Sequence, residues 1–312
     1  MKLLVTGGAG FIGSNFIHYW FGRHPNDEIV NVDKLTYAAN PANLNGVEKY
    51  GYEFIRGDIA DKELVENAVE DVDVVVNFAA ETHVDNSITD LKEFIHSNII
   101  GVHTILEAVR KYEKRVHQVS TDEVYGSLPL DSKSRFNENS AYLPKNPYAA
   151  TKAAADHLIR AYVNTYKVNA TISNCGNNFG PRQHPEKLVP KAITYAMNDM
   201  KVPLYGSGKQ VRDWIYVNDH CSGIEKILHR GICGETYLIG AGQERQNVEM
   251  VKSILETLGK PETLIEHITD RPGHDVRYAI DPSKIIKELG WKPELTAEEG
   301  LKLTIEWYKM QF

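Results

Sequence analysis

The sequence predicts an α/β protein, a doubly wound parallel sheet followed by a smaller α/β lobe. Three observations carry that expectation. Short apolar runs alternate with helix-period segments through the first half of the 312 residues. A glycine-rich turn, Gly7 to Gly13, joins the first apolar run to the first helical one. After Asn174 the rhythm changes, and Gly, Pro, Asn and Arg become denser between Gly176 and Pro190.

The elements follow in order. Lys2 to Thr6 is an apolar run of the kind that forms a strand buried on both faces. Phe11 to Phe21 has helical spacing, and Glu28 to Val32 is again strand-like. Phe54 and Ile55 mark a third strand, Val72 to Phe78 a fourth and Val116 to Ser120 a fifth. Long helical stretches cover Leu91 to Tyr112 and Tyr148 to Tyr166, and Asn169 to Asn174 reads as a sixth strand. Later helical segments are expected near Val189 to Met200, Asp219 to Leu228, Val248 to Leu258 and Thr296 to Tyr308. The expected division is a Rossmann-like nucleotide domain over 1–175 and a substrate lobe over 176–312, with the chain free to cross back into the first sheet. No internal repeat or low-complexity tract interrupts this pattern.

A net charge of −7 and a pI near 6.0 argue against a nucleic-acid surface, so an anionic ligand would need a local positive patch. Cys175, Cys221 and Cys233 are odd in number and lack metal-ligand spacing, so neither a disulfide framework nor a metal site is expected. They read as ordinary thiols of a reducing, cytoplasmic compartment. The apolar start is too short for a signal peptide, and no run has the length of a membrane span.

Gly8-Ala9-Gly10-Phe11-Ile12-Gly13 fits G-x-G-x-x-G, with a strand before it and a helix after it. Such glycines let the backbone approach a pyrophosphate, and the helix N-terminus offers free N–H groups to the anion. Asp33 stands 20 residues after Gly13, where a carboxylate binds the adenosine ribose and repels a 2′-phosphate. The expected cofactor is therefore NAD rather than NADP. Asp58 and Ile59 follow the third strand and either reach the adenine or form a strand-end turn.

Tyr148 and Lys152 are four residues apart at a helix start, hence on one face. A nearby ammonium and the positive nicotinamide of NAD⁺ would favour the phenolate, making Tyr148 a base for a sugar hydroxyl. Thr121, Asp122 and Glu123 follow the fifth strand, at the sheet end where α/β proteins bind ligands. A turn would account for the triplet equally well. Read as chemistry, the cluster holds a hydroxyl base, a second base for a carbon-bound proton and an acid for a leaving oxygen.

The chain resembles the extended short-chain dehydrogenase/reductase family nearly end to end, and within it the nucleotide-sugar 4,6-dehydratases. The resemblance rests on TGGAGFIGS, NVDKLTYAAN, FAAETHVDNSI, STDEVYG, PYAATKAAADHL, NNFGP, PEKLVP, GSGKQVRDWIYVNDH and DRPGHDVRYAID. Asp122 with Glu123 is its specific part, because epimerases and decarboxylases of the wider family usually lack that pair. It implies dehydration of dTDP-glucose to the 4-keto-6-deoxy sugar of deoxysugar biosynthesis. Tyr148, helped by Thr121 and Lys152, would take the C4 hydroxyl proton, Glu123 the C5 proton, and Asp122 would protonate the departing C6 hydroxyl. A 4-epimerase or decarboxylase of the same fold, or a non-catalytic NAD sensor, are the alternatives.

The same resemblance implies cofactor contacts at Gly7, Gly10, Phe11, Ile12, Gly13, Asp33, Lys34, Leu35, Thr36, Asp58, Ile59, Ala79, Ala80, Asn98, Tyr148, Lys152 and Asn178. It implies nucleotide-sugar contacts at Thr82, Thr121, Asn177, Lys187, Leu188, Pro203, Leu204, Tyr205, Arg212, Asn247, Asp270, Arg271, Pro272, Gly273 and His274. Lys187, Arg212 and Arg271 would supply the positive patch for a diphosphate. Helices at 91–112 and 148–166 imply a homodimer. The chain departs from the family pattern at Asn86 (usually Arg), Gly176 (usually Ser), Phe179 (usually Tyr) and Arg182 (usually an aromatic), and in a shorter loop from Ser127 to Asn146.

Overall fold

The computed structural model describes residues 1–270 and 272–311. The first half runs β1 (Lys2–Thr6), α1 (Phe11–Arg23), β2 (Glu28–Asp33), β3 (Gly51–Arg56), α2 (Lys62–Glu70), β4 (Val74–Asn77) and α3 (Val84–Thr89). Then come α4 (Lys92–Ile95), a π-helical stretch (His96–Gly101), α5 (Val102–Lys111), β5 (Arg115–Thr121), α6 (Pro147–Tyr166) and β6 (Asn169–Cys175). The second half runs β7 (Asn177–Phe179), α7 (Leu188–Met197), β8 (Val202–Tyr205), β9 (Val211–Tyr216), α8 (Val217–Arg230) and β10 (Thr236–Ile239). It closes with β11 (Glu244–Gln246), α9 (Asn247–Leu258), β12 (Ile265–Ile268), α10 (Ser283–Leu289) and α11 (Ala297–Lys309).

Seven parallel strands form the main sheet in the order β10-β6-β5-β4-β1-β2-β3. The inner strands are buried along almost their whole length, which is why they read as continuous apolar runs. Phe16, Ile17 and Trp20 of α1 pack with Ile224 and Ile227 of α8 and Ile285 of α10 on one face. Val65 of α2, Ile105 and Leu106 of α5 and Ile159 of α6 cover the other. A third core joins α7, α9 and α11 over β8 and β9. Beside it lie a small sheet, β11-β9-β7, and the pair β12-β8.

Two local features aim the functional end of the sheet. Gly7 takes φ +71°, and a Cβ on Gly13 would stand 2.3 Å from the Gly7 carbonyl, so α1 approaches the end of β1 only with glycine there. At α6, the Asn146 side chain accepts from the Ala149 N–H at 2.8 Å and Pro147 opens the helix. Such a cap is worth about 1 kcal/mol, and here it fixes the first turn that carries Tyr148.

Two expectations need correction. The single helix expected over Leu91 to Tyr112 is α4, a π stretch and α5, because Asn98 is turned inward to bond outside its own helix. The third strand is a full six residues rather than the Phe54–Ile55 fragment; it is the sheet edge, largely exposed, so its apolar pattern is weak. The chain crosses back into the main sheet, which the sequence reading left open: β10, from beyond residue 176, pairs Thr236 with Ile172 through Ile239 with Cys175. Cys175, Cys221 and Cys233 are all free thiols, and among the described residues no helix is long and apolar enough to cross a membrane.

Candidate active site

A cleft opens at the carboxyl end of the sheet, bounded by the glycine turn, the ends of β2, β4 and β5, the start of α6 and the segment after β6. Gly7, Gly10, Phe11, Ile12 and Gly13 form its floor. No side chain caps the α1 N-terminus, which leaves its first-turn N–H groups directed at the cleft. Asp33 closes one side. Its Oδ2 accepts from the Ala9 N–H at 2.9 Å and its Oδ1 from the Leu35 N–H at 2.8 Å. Burial pushes its carboxyl up and the two N–H donors oppose that rise. Lys34, Thr36, Asp58, Ile59, Ala79 and Ala80 line the same end. Asp58 is desolvated, yet the Ala60 N–H, Lys34 at 3.0 Å and His96 at 3.0 Å together hold its carboxyl below the usual range.

These residues fit a dinucleotide: a cradle that admits no Cβ at Gly13, an uncapped helix N-terminus and a carboxylate at the ribose position. Two predicted contacts lie behind the cleft wall. Leu35 sits at φ +58° against the core and contributes its N–H to Asp33. Asn98 spends its amide on Glu81, accepting from its N–H at 2.9 Å and donating to its carbonyl at 3.1 Å, and donates to Thr151 Oγ1 at 2.9 Å. Asn178 lines the cleft and is oriented from below by His220, 3.0 Å from its Oδ1.

All five predicted catalytic residues line the cleft. Thr121 ends β5 and caps the short helical turn 122–125, its Oγ1 accepting from the Glu123 N–H at 3.3 Å. Asp122 is 2% exposed and its Oδ2 has no protein partner. Burial, and then the charge of Glu123, push the Asp122 carboxyl well above the usual range. Glu123 is more open and accepts from Asn146 Nδ2 at 3.1 Å. Tyr148 is buried, with its backbone N–H on Ser87 Oγ at 3.3 Å and Phe94 packed edge-on against its ring.

The Lys152 ammonium is buried and donates to the Val119 carbonyl at 2.8 Å. Its acidity is raised by that burial, while the Asp156 carboxylate one turn on opposes the shift. The Tyr148 phenol is pushed well up by burial, then by Glu123. The sequence expectation set Lys152 together with the nicotinamide of NAD⁺ as what favours the phenolate, and Lys152 does not by itself offset burial and Glu123. Within the protein, burial and the Glu123 charge both favour the neutral phenol, and a positive charge brought beside it would oppose them.

The predicted sugar-nucleotide residues divide in two. Thr82, Asn177 and Lys187 line the cleft beside the carboxylates. Lys187 Nζ donates to the Thr82 carbonyl at 3.2 Å, and the buried Oδ1 of Asn177 has no protein partner. The rest gather on the C-terminal lobe. Tyr205 donates to Asp85 at 3.1 Å and meets His274 edge-on. His274 pairs with Asp270 at 2.6 Å, and Gln210 donates to Asp270 at 2.9 Å. Asn247 starts α9, its side-chain oxygen buried and unpartnered. The Arg212 guanidinium is 4% exposed, donates to the Asp275 carbonyl at 2.9 Å and lies 4.3 Å over the Tyr278 ring. Leu204 points into the lobe core, Leu188 packs against it, and Pro203 precedes Leu204 on β8. Pro272 and Gly273 border this cluster, and Arg271 lies outside the described residues.

Sequence reasoning missed several groups that the fold brings here. Glu81, Gln183, His184 and Glu186 line the cleft. Asn146 and Tyr278 touch Glu123. Glu81, Glu186 and Tyr278 stand inside motifs visible in the sequence, but the meeting of Tyr278 with Glu123 is a product of the fold.

The family profile of GDP-mannose 4,6 dehydratase matches residues 4–304. The dTDP-glucose 4,6-dehydratase of Mycobacterium tuberculosis strain H37Rv is 51% identical over 310 residues, covering 99% of this chain and 93% of that protein. The low-salt glycan biosynthesis protein Agl12 of Haloferax volcanii is 48% identical over 99% of this chain and 98% of its own. Among solved structures, the dTDP-glucose 4,6-dehydratase DesIV of Streptomyces venezuelae, with NAD and dTDP bound, superposes with a TM-score of 0.96 at 43% identity, covering 99% and 97% of the two chains. The UDP-glucose 4-epimerase of Thermus thermophilus in complex with NAD superposes with a TM-score of 0.90 at 31% identity, covering 99% of each chain.

Proposed function

The chain belongs to the GDP-mannose 4,6 dehydratase family and, among the extended short-chain dehydrogenase/reductases, to the dTDP-glucose 4,6-dehydratases; from that premise we propose that it converts dTDP-glucose to dTDP-4-keto-6-deoxyglucose for deoxysugar biosynthesis. The glycine turn and Asp33 would hold NAD, whose chemistry when bound would be to take up hydride at C4 and give it back at C6. The chain's own residues move the protons. Tyr148, assisted by Thr121, takes the C4 hydroxyl proton. The 4-keto group acidifies C5, and Glu123 takes that proton. Asp122 protonates the departing C6 oxygen. Lys187 and Arg212 hold the diphosphate.

One observation carries the reading. Adjacent carboxyl groups sit in unlike environments, Asp122 enclosed and pushed toward its protonated form, Glu123 more open and hydrogen-bonded to Asn146. Unlike environments assign one acid and one base at a single pH. An epimerase of the same fold needs Tyr148 and Lys152 but has no work for the pair. The test is incubation with dTDP-, UDP-, GDP- and CDP-glucose. The expected result is the alkaline absorbance of a 4-keto-6-deoxy sugar from dTDP-glucose, with no added NAD⁺ consumed. Epimerised product without that absorbance would reverse the reading.

The same reading makes the protein a cytoplasmic homodimer. Three free thiols suit a reducing compartment. Ile88, Leu91, Ile95 and Ile100 are 45%, 36%, 41% and 46% exposed along one stretch beside α5 and α6, an apolar surface that a second copy would cover.

A further inference from the structure

We infer that Tyr278 and Asp275 form a proton relay behind Glu123, carrying the proton that Glu123 takes from the sugar C5 toward solvent. The inference rests on the reading of Glu123 as the C5 base.

The Tyr278 phenol oxygen lies 3.4 Å from Glu123 Oε2 and donates a hydrogen bond to Asp275 Oδ2. Tyr278 is 2% exposed and Asp275 4%. Neither faces the cleft, so both act through Glu123 rather than on the sugar. The three side chains are held from several sides. Asn146 fixes Glu123 at 3.1 Å. Arg212 covers the Tyr278 ring and donates to the Asp275 carbonyl at 2.9 Å. A tyrosine placed only for packing would not need its hydroxyl between two carboxyl groups.

The order of the contacts gives a direction. With the phenol proton turned to Asp275, the phenol oxygen offers a lone pair to Glu123. When the C5–H bond breaks, its proton binds Glu123. The new Glu123 O–H then donates to the phenol oxygen, while the phenol proton passes to Asp275. Glu123 returns to carboxylate, Tyr278 ends as it began and Asp275 has gained one proton. No oxidant or co-reactant is needed. Burial pushes the Asp275 carboxyl up, and the Glu123 charge adds to this, so Asp275 can receive the proton. Burial also keeps the phenol neutral, so Tyr278 passes a proton on without ionising.

The test is turnover of dTDP-glucose in D₂O, with deuterium at C5 of the product measured by mass spectrometry and NMR. It is read per product formed and reports exchange of the Glu123-bound proton against its return to C5, so each variant's labelling is set beside its single-turnover rate. Wild-type protein should place solvent deuterium at C5. Tyr278→Phe keeps the ring under Arg212 and removes the hydroxyl, and should cut the labelled fraction by about fivefold or more, as expected when a positioned proton carrier is lost. Asp275→Asn keeps an acceptor for the phenol but cannot take a proton, and should do the same. Full labelling in either folded variant, or none in the wild type, would overturn the relay alone. A wild-type protein that forms no 4-keto sugar would overturn the reaction, and the relay with it.

Discussion

Asp122 and Glu123 are neighbours in the chain, yet their side chains meet opposite conditions within a few ångströms. That contrast predicts separable failures. Glu123→Gln and Asp122→Asn should still reduce the bound cofactor but lose on the order of 10²-fold or more in turnover, the usual scale for a positioned acid or base. Tyr148→Phe should abolish the reduction itself, and single-turnover absorbance at the NADH band distinguishes the two outcomes. The raised Asp122 carboxyl also sets a sign. An acid works only while protonated, so elimination is present below its folded-state pKa and lost as pH rises through it. The rate of elimination against pH should carry an alkaline limb that Asp122→Asn removes. Much at this scale was legible in sequence, because Thr121 to Glu123 are contiguous and Tyr148 lies one helical turn from Lys152. Their partners were not legible. Ser87, Asn146 and Tyr278 reach the site from separate segments, and no local pattern signals a contact across such distances.

The elements show the same divide. Strands buried on both faces announce themselves, and β1, β4, β5 and β6 fall within a residue or two of their predicted limits. The exposed edge strand β3 barely does. The π stretch His96–Gly101 was invisible, since its cause is an inward bond from Asn98 rather than any breaker residue. The bonds of Asn98 tie the stretch to Glu81 on the cleft wall and to Thr151 of α6, so they join cleft wall and catalytic helix. Asn98→Ala would leave the Glu81 N–H without its partner, at a cost of about 1–3 kcal/mol. The expected result is a rise in the NAD dissociation constant on the order of tenfold, read by fluorescence titration, together with a lower melting temperature. Unchanged NAD affinity would mean that the π stretch serves packing only.

At the scale of the molecule, the division at residue 176 hides an exchange. Residues after that point supply β10 to the main sheet, and α8 and α10 to one of its faces. A fragment 1–175 would lack all three and expose β6 as an edge, so it should aggregate on expression. The full chain should melt in one transition by calorimetry; two resolved transitions would show that the lobes fold separately. The apolar stretch from Ile88 to Ile100 makes the other prediction. Ile100→Asp should convert a dimer to a monomer by sedimentation at micromolar concentration, with the fold intact by circular dichroism. The late seventh strand has a consequence for biosynthesis. On the ribosome, β6 is finished at Cys175 while its neighbour begins at Thr236. At about 5–20 residues per second, the unpaired edge waits for several seconds before its partner is even made. The nascent chain carries an open strand through that interval, and holding it apart from other nascent chains is a task for the chaperones at the exit tunnel.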